Sequence, residues 1–273
     1  MIMWMLAWSA LAGVWETVEQ QRSSPEAFAL LSPRERWDLA VLVRDVVRHA
    51  PMGELPAELA ARADGLGWVL EDDAGVAVLR EQEARGGGLL AVRLGPVSGE
   101  LVLQAPHPWF DLNTGRIACR AFEESSLARA LIVATVHRNA APESDAAHSP
   151  EQGFQALTQG VVAGLAAPSL VQIHGYAETT EADAVVSPGA TWMRPEAFEG
   201  RRQRLAVALG ADDVRTGAEV PELAATTNVQ GRLVTGEARF LHVELSKAQR
   251  DRLLAEPAAR AALIEALLEG ESR

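Results

Sequence analysis

A chain of 273 residues is long enough to bury a sizeable core in one large domain, or in one domain with a small appendage. Its composition, 48% hydrophobic and 23% charged, is typical of a globular protein. The formal net charge of -12 gives a surface that repels phosphate backbones, which argues against nucleic acid as the main partner. Cys119 is the only cysteine, so an intrachain disulfide and a zinc site made of several thiolates from one chain are both excluded.

Residues 1–12 are apolar and end in a small-x-small pattern, Ala10-Leu11-Ala12, of the kind that signal peptidase cleaves. The segment lacks a basic start and is too short to span a bilayer. Two interpretations remain open: an exported protein with a cleaved signal peptide, or a cytoplasmic protein whose first amphipathic helix packs large apolar side chains at helical spacing. The side chains at that spacing are Trp4, Trp8, Leu11 and Trp15. No other stretch is predicted to be a transmembrane helix.

Two helices are predicted before the first strand. Residues 33–49 follow a Ser-Pro start signal and carry apolar side chains at helical positions. Residues 55–65 form the second predicted helix. We therefore expect residues 1–66 to be a helical N-terminal region and residues 67–273 to form an α/β domain.

Four short runs of strand-like residues come next, separated by acidic and glycine-rich turns. Because the runs follow one another closely, they predict antiparallel strands at one side of a sheet. The runs are residues 67–71, 75–80, 88–94 and 100–105.

Beyond residue 100 the pattern changes to an alternation of strands and helices. Residues 131–136 and 170–174 are continuous apolar runs, which are typical of strands covered on both faces, and a last strand is predicted at 239–245. Helices are predicted at 121–129, 152–165, 197–209 and, with an interruption at Pro257, from 247 to about 268. The alternation predicts an α/β fold with a single mixed β-sheet flanked by helices on both faces.

Potential metal ligands and acid-base residues fall at the ends of the predicted strands. His107 follows the run at 100–105, Asp111 comes four residues later, His174 closes the run at 170–174, and Glu244 lies late in the last strand. In open α/β sheets the ligand crevice forms outside the carboxyl ends of the strands. Catalytic zinc takes three His, Asp or Glu ligands, and a further carboxylate must accept the proton of the attacking water.

Each of these residues also has a plainer interpretation. A histidine after a strand is often a surface or hydrogen-bonded residue, and Asp111 lies in a segment with the composition of an Asx-turn. Glu244 could pair with an arginine such as Arg239 or Arg250 and be purely structural. The residues alone leave the metal site and these alternatives open.

Three segments resemble the zinc carboxypeptidase-like amidohydrolases, in the branch that contains poly-γ-glutamate hydrolases, succinylglutamate desuccinylases and N-formylglutamate amidohydrolases. APHPWFDLNTG (105–115) is similar to the segment with the first histidine and the carboxylate ligand, and VQIHGY (171–176) to the strand with the second histidine. FLHVELSKAQR (240–250) is similar to the late segment whose Glu is the catalytic base. The order along the chain is the same, and the resemblance covers roughly residues 100–255.

The resemblance implies a zinc-dependent hydrolase that cleaves an amide bond. One zinc ion would be held by His107, Asp111 and His174, with Glu244 as the general base, and residues 67–273 would form the metallohydrolase domain. Two features depart from the family pattern: the carboxylate ligand is the shorter Asp after a three-residue gap, and Pro-Trp replaces the Gly-Gly that follows the first histidine.

Family members commonly hold a substrate carboxylate with an Asn and an Arg. Arg138 and Asn139 follow the run at 131–136, and an arginine can bind a carboxylate with two parallel hydrogen bonds, although Arg138 could equally form a surface ion pair. His148 either contacts the substrate, or supports a ligand of the site from behind, or merely flanks the start of the next helix. The expected partner is a small molecule or peptide that carries a carboxylate. A non-catalytic binding module on the same fold and a metal-dependent esterase or deacylase are the alternatives.

Overall fold

The computed structural model describes residues 13–177, 180–235 and 239–268, in which three helices and a run of strands precede an alternation of helices and strands. The predicted signal peptide at 1–12 lies outside the described residues, as does the predicted first helix except for Trp15, which lies in a helix. The helices are α1 (Val14–Gln20), α2 (Pro33–His49), α3 (Ala57–Gly65), α4 (Thr114–Glu124), α5 (Gly153–Gly164), α6 (Pro195–Leu209), α7 (Lys247–Ala255) and α8 (Pro257–Leu268). The strands are β1 (Trp68–Asp73), β2 (Val76–Glu81), β3 (Leu89–Arg93), β4 (Leu101–Ala105), β5 (Ala128–Val133), β6 (Ser169–Gly175), β7 (Ala184–Ser187), β8 (Val214–Thr216) and β9 (Arg239–Leu245). Among these helices, none combines the length and apolarity that crossing a membrane requires.

The strands of the described residues form one mixed sheet in the order β1-β2-β3-β5-β4-β6-β9-β7-β8. β1, β2 and β3 pair antiparallel at one edge, as their close spacing along the chain predicts. The prediction for the run at 100–105 is wrong, because β4 lies in the centre of the sheet and pairs parallel with β5 and β6. α4 connects β4 to β5, and a helical crossover of this kind brings the chain back in the same direction.

Helices cover both faces of the sheet, which confirms the predicted α/β architecture. Alternate residues of a strand point to opposite faces, so that in β4 Leu101 and Leu103 join one core while Val102 joins the other. The first core includes side chains of α1, α4, α6, α7 and α8. The second includes side chains of α2, α3 and α5. The two apolar runs predicted as central strands correspond to β5 and β6.

α2 begins at its predicted residue, Pro33, because two hydrogen bonds cap its start. The Ser32 side chain accepts the backbone N–H of Glu35, and the Glu35 carboxylate accepts the backbone N–H of Ser32. α2 and α3 share a core with the sheet. The division of the chain at residue 66 remains a prediction.

The helix predicted at 121–129 is wrong at both ends. α4 begins at Thr114 and ends at Glu124, and its apolar stripe consists of buried residues at helical spacing: Ile117, Ala118, Ala121 and Phe122. The chain is extended and buried again from Ala128, where β5 begins. β7 and β8 were not predicted, because strands of four and three residues carry too few alternations to give a periodic signal.

Candidate metal centre

Three neighbouring parallel strands, β4, β6 and β9, end at the same edge of the sheet and carry the candidate residues there. His107 follows β4 by two residues, His174 lies next to the end of β6, and Glu244 lies next to the end of β9. His174 and Glu244 are register partners on adjacent strands. These side chains therefore meet at the carboxyl edge of the sheet, where open α/β folds form ligand crevices.

Asp111 reaches the two histidines because the chain turns directly after His107. The backbone N–H groups of Phe110 and Asp111 donate to the His107 carbonyl at 3.0 and 2.9 Å, which closes one tight turn. Oδ2 of Asp111 then lies 3.5 Å from His107 Nδ1 and 3.0 Å from His174 Nδ1. The three side chains are buried, and one ligand atom from each lies within 4.8 Å of the others.

The composition of this group and the spacing of its ligand atoms suit a bound metal ion. Two imidazoles and one carboxylate are a common ligand set for catalytic zinc. Ligands placed tetrahedrally at about 2.0–2.2 Å from zinc are roughly 3.3–3.6 Å apart, and the two Nδ1 to Oδ2 distances, 3.5 and 3.0 Å, lie within about 0.3 Å of that range. The residues present therefore fit one zinc ion.

A second carboxylate, Asp145, contacts the far side of the His107 ring. Its Oδ1 lies 2.8 Å from His107 Nε2, and its Oδ2 accepts a hydrogen bond from Arg138 at 2.5 Å. His148 Nδ1 lies 3.1 Å from the same Oδ1. A carboxylate bound to the outer nitrogen of a metal-ligating histidine orients the ring and fixes its tautomer. No sequence signal points to this role, because a single Asp in an Ala- and Ser-rich loop has no telling spacing.

Burial and hydrogen bonding act against each other on the ionisable groups of the site. Burial raises the pKa of Asp111, but hydrogen bonds from His107 and His174 outweigh it and hold that pKa well below its usual range. The same balance lowers the pKa of Asp145, which also contacts His107. Burial and the neighbouring His242 lower the pKa of His174 to about 4. At neutral pH the carboxylates are therefore ionised and His174 is neutral, the forms in which these side chains bind metals.

Glu244 shares a strand face with His242, as the alternation along β9 predicts. His242 Nε2 lies 3.0 Å from Glu244 Oε1. Burial raises the pKa of Glu244, but this hydrogen bond and the charges of His242 and His174 together leave the pKa below its usual value. The other oxygen, Oε2, is buried and has no hydrogen-bond partner among the described residues. Arg250, one of the arginines considered as a partner of Glu244, donates instead to the Tyr176 carbonyl.

A cavity of about 540 Å³ opens in front of these side chains. The residues around it include His107, Asp111, Arg138, His148, His174, Glu244 and part of the segment 221–228. Arg138 thus faces the cavity while it forms an ion pair with Asp145, and its guanidinium lies 5.1 Å from the ring centre of Phe110. Asn139 is exposed and is not among the described residues that line the cavity.

No protein-family model and no curated protein matches this chain. Among solved structures, the chain is similar to an N-formylglutamate amidohydrolase from Ralstonia eutropha, with 13% identity, 65% of this chain and 96% of that chain covered, and a TM-score of 0.43. It is also similar to a succinylglutamate desuccinylase from Vibrio parahaemolyticus, with 12% identity, 74% and 77% covered, and a TM-score of 0.45. A metallo-carboxypeptidase from Burkholderia cenocepacia is similar at 11% identity, with 78% and 68% covered and a TM-score of 0.42. The first two carry names of the branch that the sequence segments resemble, and the third is named as a metallo-carboxypeptidase.

Proposed function

We propose that this chain is a zinc-dependent hydrolase that cleaves an amide bond, with His107, Asp111 and His174 as ligands and Glu244 as general base. The observation that carries the proposal is the convergence of three buried ligand atoms from two separate strand ends. Burying ionisable groups together is unfavourable unless each is paired or holds a metal. A cation bound between the three side chains would offset that cost.

Zinc bound at this position would act as a Lewis acid toward the oxygen of the scissile carbonyl. Glu244 accepts a proton from water while the oxygen of that water bonds to the carbonyl carbon. The same carboxyl group then donates the proton to the leaving nitrogen as the C–N bond breaks, which yields a carboxylic acid and an amine. Oε2 of Glu244, which is buried and has no hydrogen-bond partner in the described parts of the chain, supports this role, because an ionised oxygen beside the cavity is able to accept a proton.

The substrate is proposed to be a small molecule or a short peptide that carries a carboxylate. Arg138 and His148 both line the cavity, and an arginine is well suited to bind a carboxylate. Because Arg138 also pairs with Asp145, the substrate would share its guanidinium. Asn139, which is exposed, would contact only a part of the substrate that extends out of the cavity.

Two other functions could use the same side chains, and simple measurements separate them from an amidohydrolase. A binding module with an eroded metal site would carry no zinc after dialysis against trace zinc. A metal-dependent esterase or deacylase would hydrolyse an ester faster than the matched amide. A screen of γ-glutamyl, N-formyl-amino-acid and C-terminal peptide substrates with the zinc-loaded protein tests the proposal and identifies the substrate class.

Replacement of Glu244 by Gln tests the catalytic assignment. Gln keeps the shape of the side chain but cannot accept a proton, so turnover should fall on the order of 10²–10⁴-fold while the zinc content stays that of the wild type. Glu71→Gln, a strand glutamate on the edge strand β1, is the matched control and should keep full turnover. Loss of zinc in Glu244→Gln would make Glu244 a ligand, and turnover near the wild-type value would exclude it as the base.

A further inference from the structure

Two loops that line the cavity meet beside it. The first loop, residues 138–149, follows β5 and includes Arg138 and His148. The second loop, residues 221–231, follows β8 and lines the cavity as far as Asn228. Neither loop belongs to the sheet, so the position of each depends on its own contacts.

The side chain of Gln230, in the second loop, is fully buried and connects this loop to three other parts of the fold. Its Nε2 donates to the Ala146 carbonyl of the first loop at 2.8 Å and to Oε1 of Gln155, in α5, at 2.9 Å. Its Oε1 accepts from Nε2 of Gln172, in β6, at 3.0 Å. Because a carbonyl can only accept, the bond to Ala146 fixes which end of the Gln230 amide is the donor.

Two neighbours of Gln230 strengthen the connection between the loops. The backbone N–H of Val229 donates to the Ala147 carbonyl of the first loop at 3.0 Å. Oδ1 of Asn228 accepts the backbone N–H of Gln230 at 2.9 Å, and its Nδ2 donates to Oε1 of Gln172 at 2.6 Å. Ala147 and Asn228 both line the cavity, so the loops are joined directly beside it.

The second loop also holds one residue in an unfavourable backbone conformation. Ala225, which lines the cavity, has a φ of 53°, in the left-handed region that residues with a Cβ rarely adopt. The carbonyl of Ala224 accepts the Ser187 hydroxyl at 2.6 Å, and the carbonyl of Ala225 accepts the N–H of Asn228 at 3.1 Å. Strained backbone persists only where surrounding contacts over-determine it, so these contacts give the second loop a fixed shape at the cavity.

We propose that Gln230 is a positioning residue that joins the two loops into one preformed wall of the substrate cavity. If such a wall is ordered for only part of the time, the apparent affinity for a substrate falls by that fraction. A substrate that is already bound still meets the same catalytic groups. The preformed wall therefore lowers KM and leaves kcat unchanged. This effect on a substrate rests on the proposed function, but the joining of the loops does not.

Gln230→Met tests the proposal, because it keeps the length of the side chain and removes its hydrogen bonds to the first loop, α5 and β6. Gln104→Met is the matched control. Gln104 is also fully buried and also bonded to Gln172, but its other bond is to Thr158 in α5. Among the described residues, the Gln104 side chain has no hydrogen bond to either loop, so its loss tests the effect of removing a buried amide alone.

Amide hydrogen exchange, followed by NMR on the metal-free protein, reports whether the loops are joined. We expect the Val229 amide to be strongly protected in the wild type and in Gln104→Met. In Gln230→Met it should exchange at least about 10-fold faster relative to the amides of β6, which report on general stability.

Steady-state kinetics at saturating zinc report the effect on a substrate. The KM of Gln230→Met should rise roughly tenfold, as for a wall that is ordered about one-tenth of the time, while kcat stays within about twofold of the wild type. Gln104→Met should keep the wild-type KM.

A wild-type Val229 amide that exchanges as fast as exposed amides would overturn the proposal, and this measurement needs no variant that folds. Wild-type protection of Val229 in Gln230→Met would also overturn it, as would an equal loss of protection in Gln104→Met, since the loss would then come from the core. Loosened loops with an unchanged KM would overturn the role in substrate binding. Loops that loosen as expected in a protein that hydrolyses no substrate would refute the proposed function alone.

Discussion

The two histidines of the candidate metal centre receive their support from opposite surroundings. His107 is held at the rim by Asp145, an ionised carboxylate that also pairs with Arg138, and these two side chains are 19% and 27% exposed. His174 is held from inside the core by Gln172, a neutral and fully buried amide. In both rings Nε2 faces the support and Nδ1 faces Asp111. The charged side chain beside His107 thus lies where water can solvate it. The side chain beside His174 is neutral and lies in the core, where an unpaired ion would be very unfavourable.

Loss of Asp145, the carboxylate that contacts Nε2 of His107, should weaken metal binding most. Asp145→Ala leaves the Nε2 hydrogen of His107 without an acceptor and Arg138 without its carboxylate partner. We expect zinc affinity about 10–100-fold below that of the wild type, measured by competition with a chelator. Asp38→Ala, which breaks an ion pair between side chains of α2, is the control and should bind zinc normally. Zinc affinity of Asp145→Ala equal to that of the wild type would show that Asp145 does not support His107 as a metal ligand.

A smaller effect, on substrate rather than on metal, is expected from Arg138→Met. The substitution removes the charged donor at the cavity but leaves the bond between Asp145 and His107 intact. The KM for a carboxylate-bearing substrate should rise roughly tenfold, which corresponds to one charged hydrogen bond of about 1.5 kcal/mol. A neutral analogue of the substrate should be unaffected, and Arg34→Met, an exposed arginine of α2, should behave as the wild type. Equal changes in KM for the charged and neutral substrates would contradict the substrate assignment.

The smallest expected effect concerns Glu81, a buried carboxylate that contrasts with Asp111. Among the described residues, its partners are backbone N–H groups and Arg85 rather than histidines. It accepts the backbone N–H groups of Arg85 and Gly87 at 2.9 and 3.0 Å, and burial raises its pKa, whereas histidine hydrogen bonds lower the pKa of Asp111. A folded-state pKa above the unfolded value of about 4.3 favours the folded protein most below that pH. This contribution is lost as the pH rises through the folded-state pKa.

Glu81→Gln, which stays neutral at every pH, should therefore gain stability relative to the wild type as the pH rises from about 4 to about 7. Urea unfolding of both proteins at the two pH values measures the difference in the free energy of unfolding. Asp→Asn variants of surface residues serve as a baseline for general charge effects. If the difference in the free energy of unfolding between the two proteins stays constant, or if the wild type becomes relatively more stable as the pH rises, burial does not govern the pKa of Glu81.

Apolar periodicity explains why much of the fold could be predicted. Runs of buried Val, Leu and Ile mark β5, β6 and β9, and a capping box marks the start of α2. The helix predicted at 121–129 was wrong because its residues divide between the end of α4 and the start of β5, with a three-residue connection at 125–127. The central place of β4 depends on the crossover through α4, which short-range patterns do not contain.

Strand ends also explain why the proposed ligands could be predicted while their supports could not. A histidine or a carboxylate just after a buried strand stands out, as His107 and His174 do. Asp145 reaches His107 only through the fold, since 38 positions separate the two residues. The sequence does contain a signal for Gln172. It is a polar residue among apolar neighbours, two positions before His174 in the same strand, so the two side chains share a face of the sheet.

A zinc titration of protein stripped of metal, with the bound metal measured by mass spectrometry, tests most directly whether the two histidines belong to one metal centre. We predict one zinc ion per chain in the wild type and in His49→Ala, a variant of an exposed histidine at the end of α2. His107→Ala and His174→Ala should each lose that ion. A wild-type protein that takes up no zinc, or histidine variants that bind it as tightly as the wild type, would contradict the metal centre.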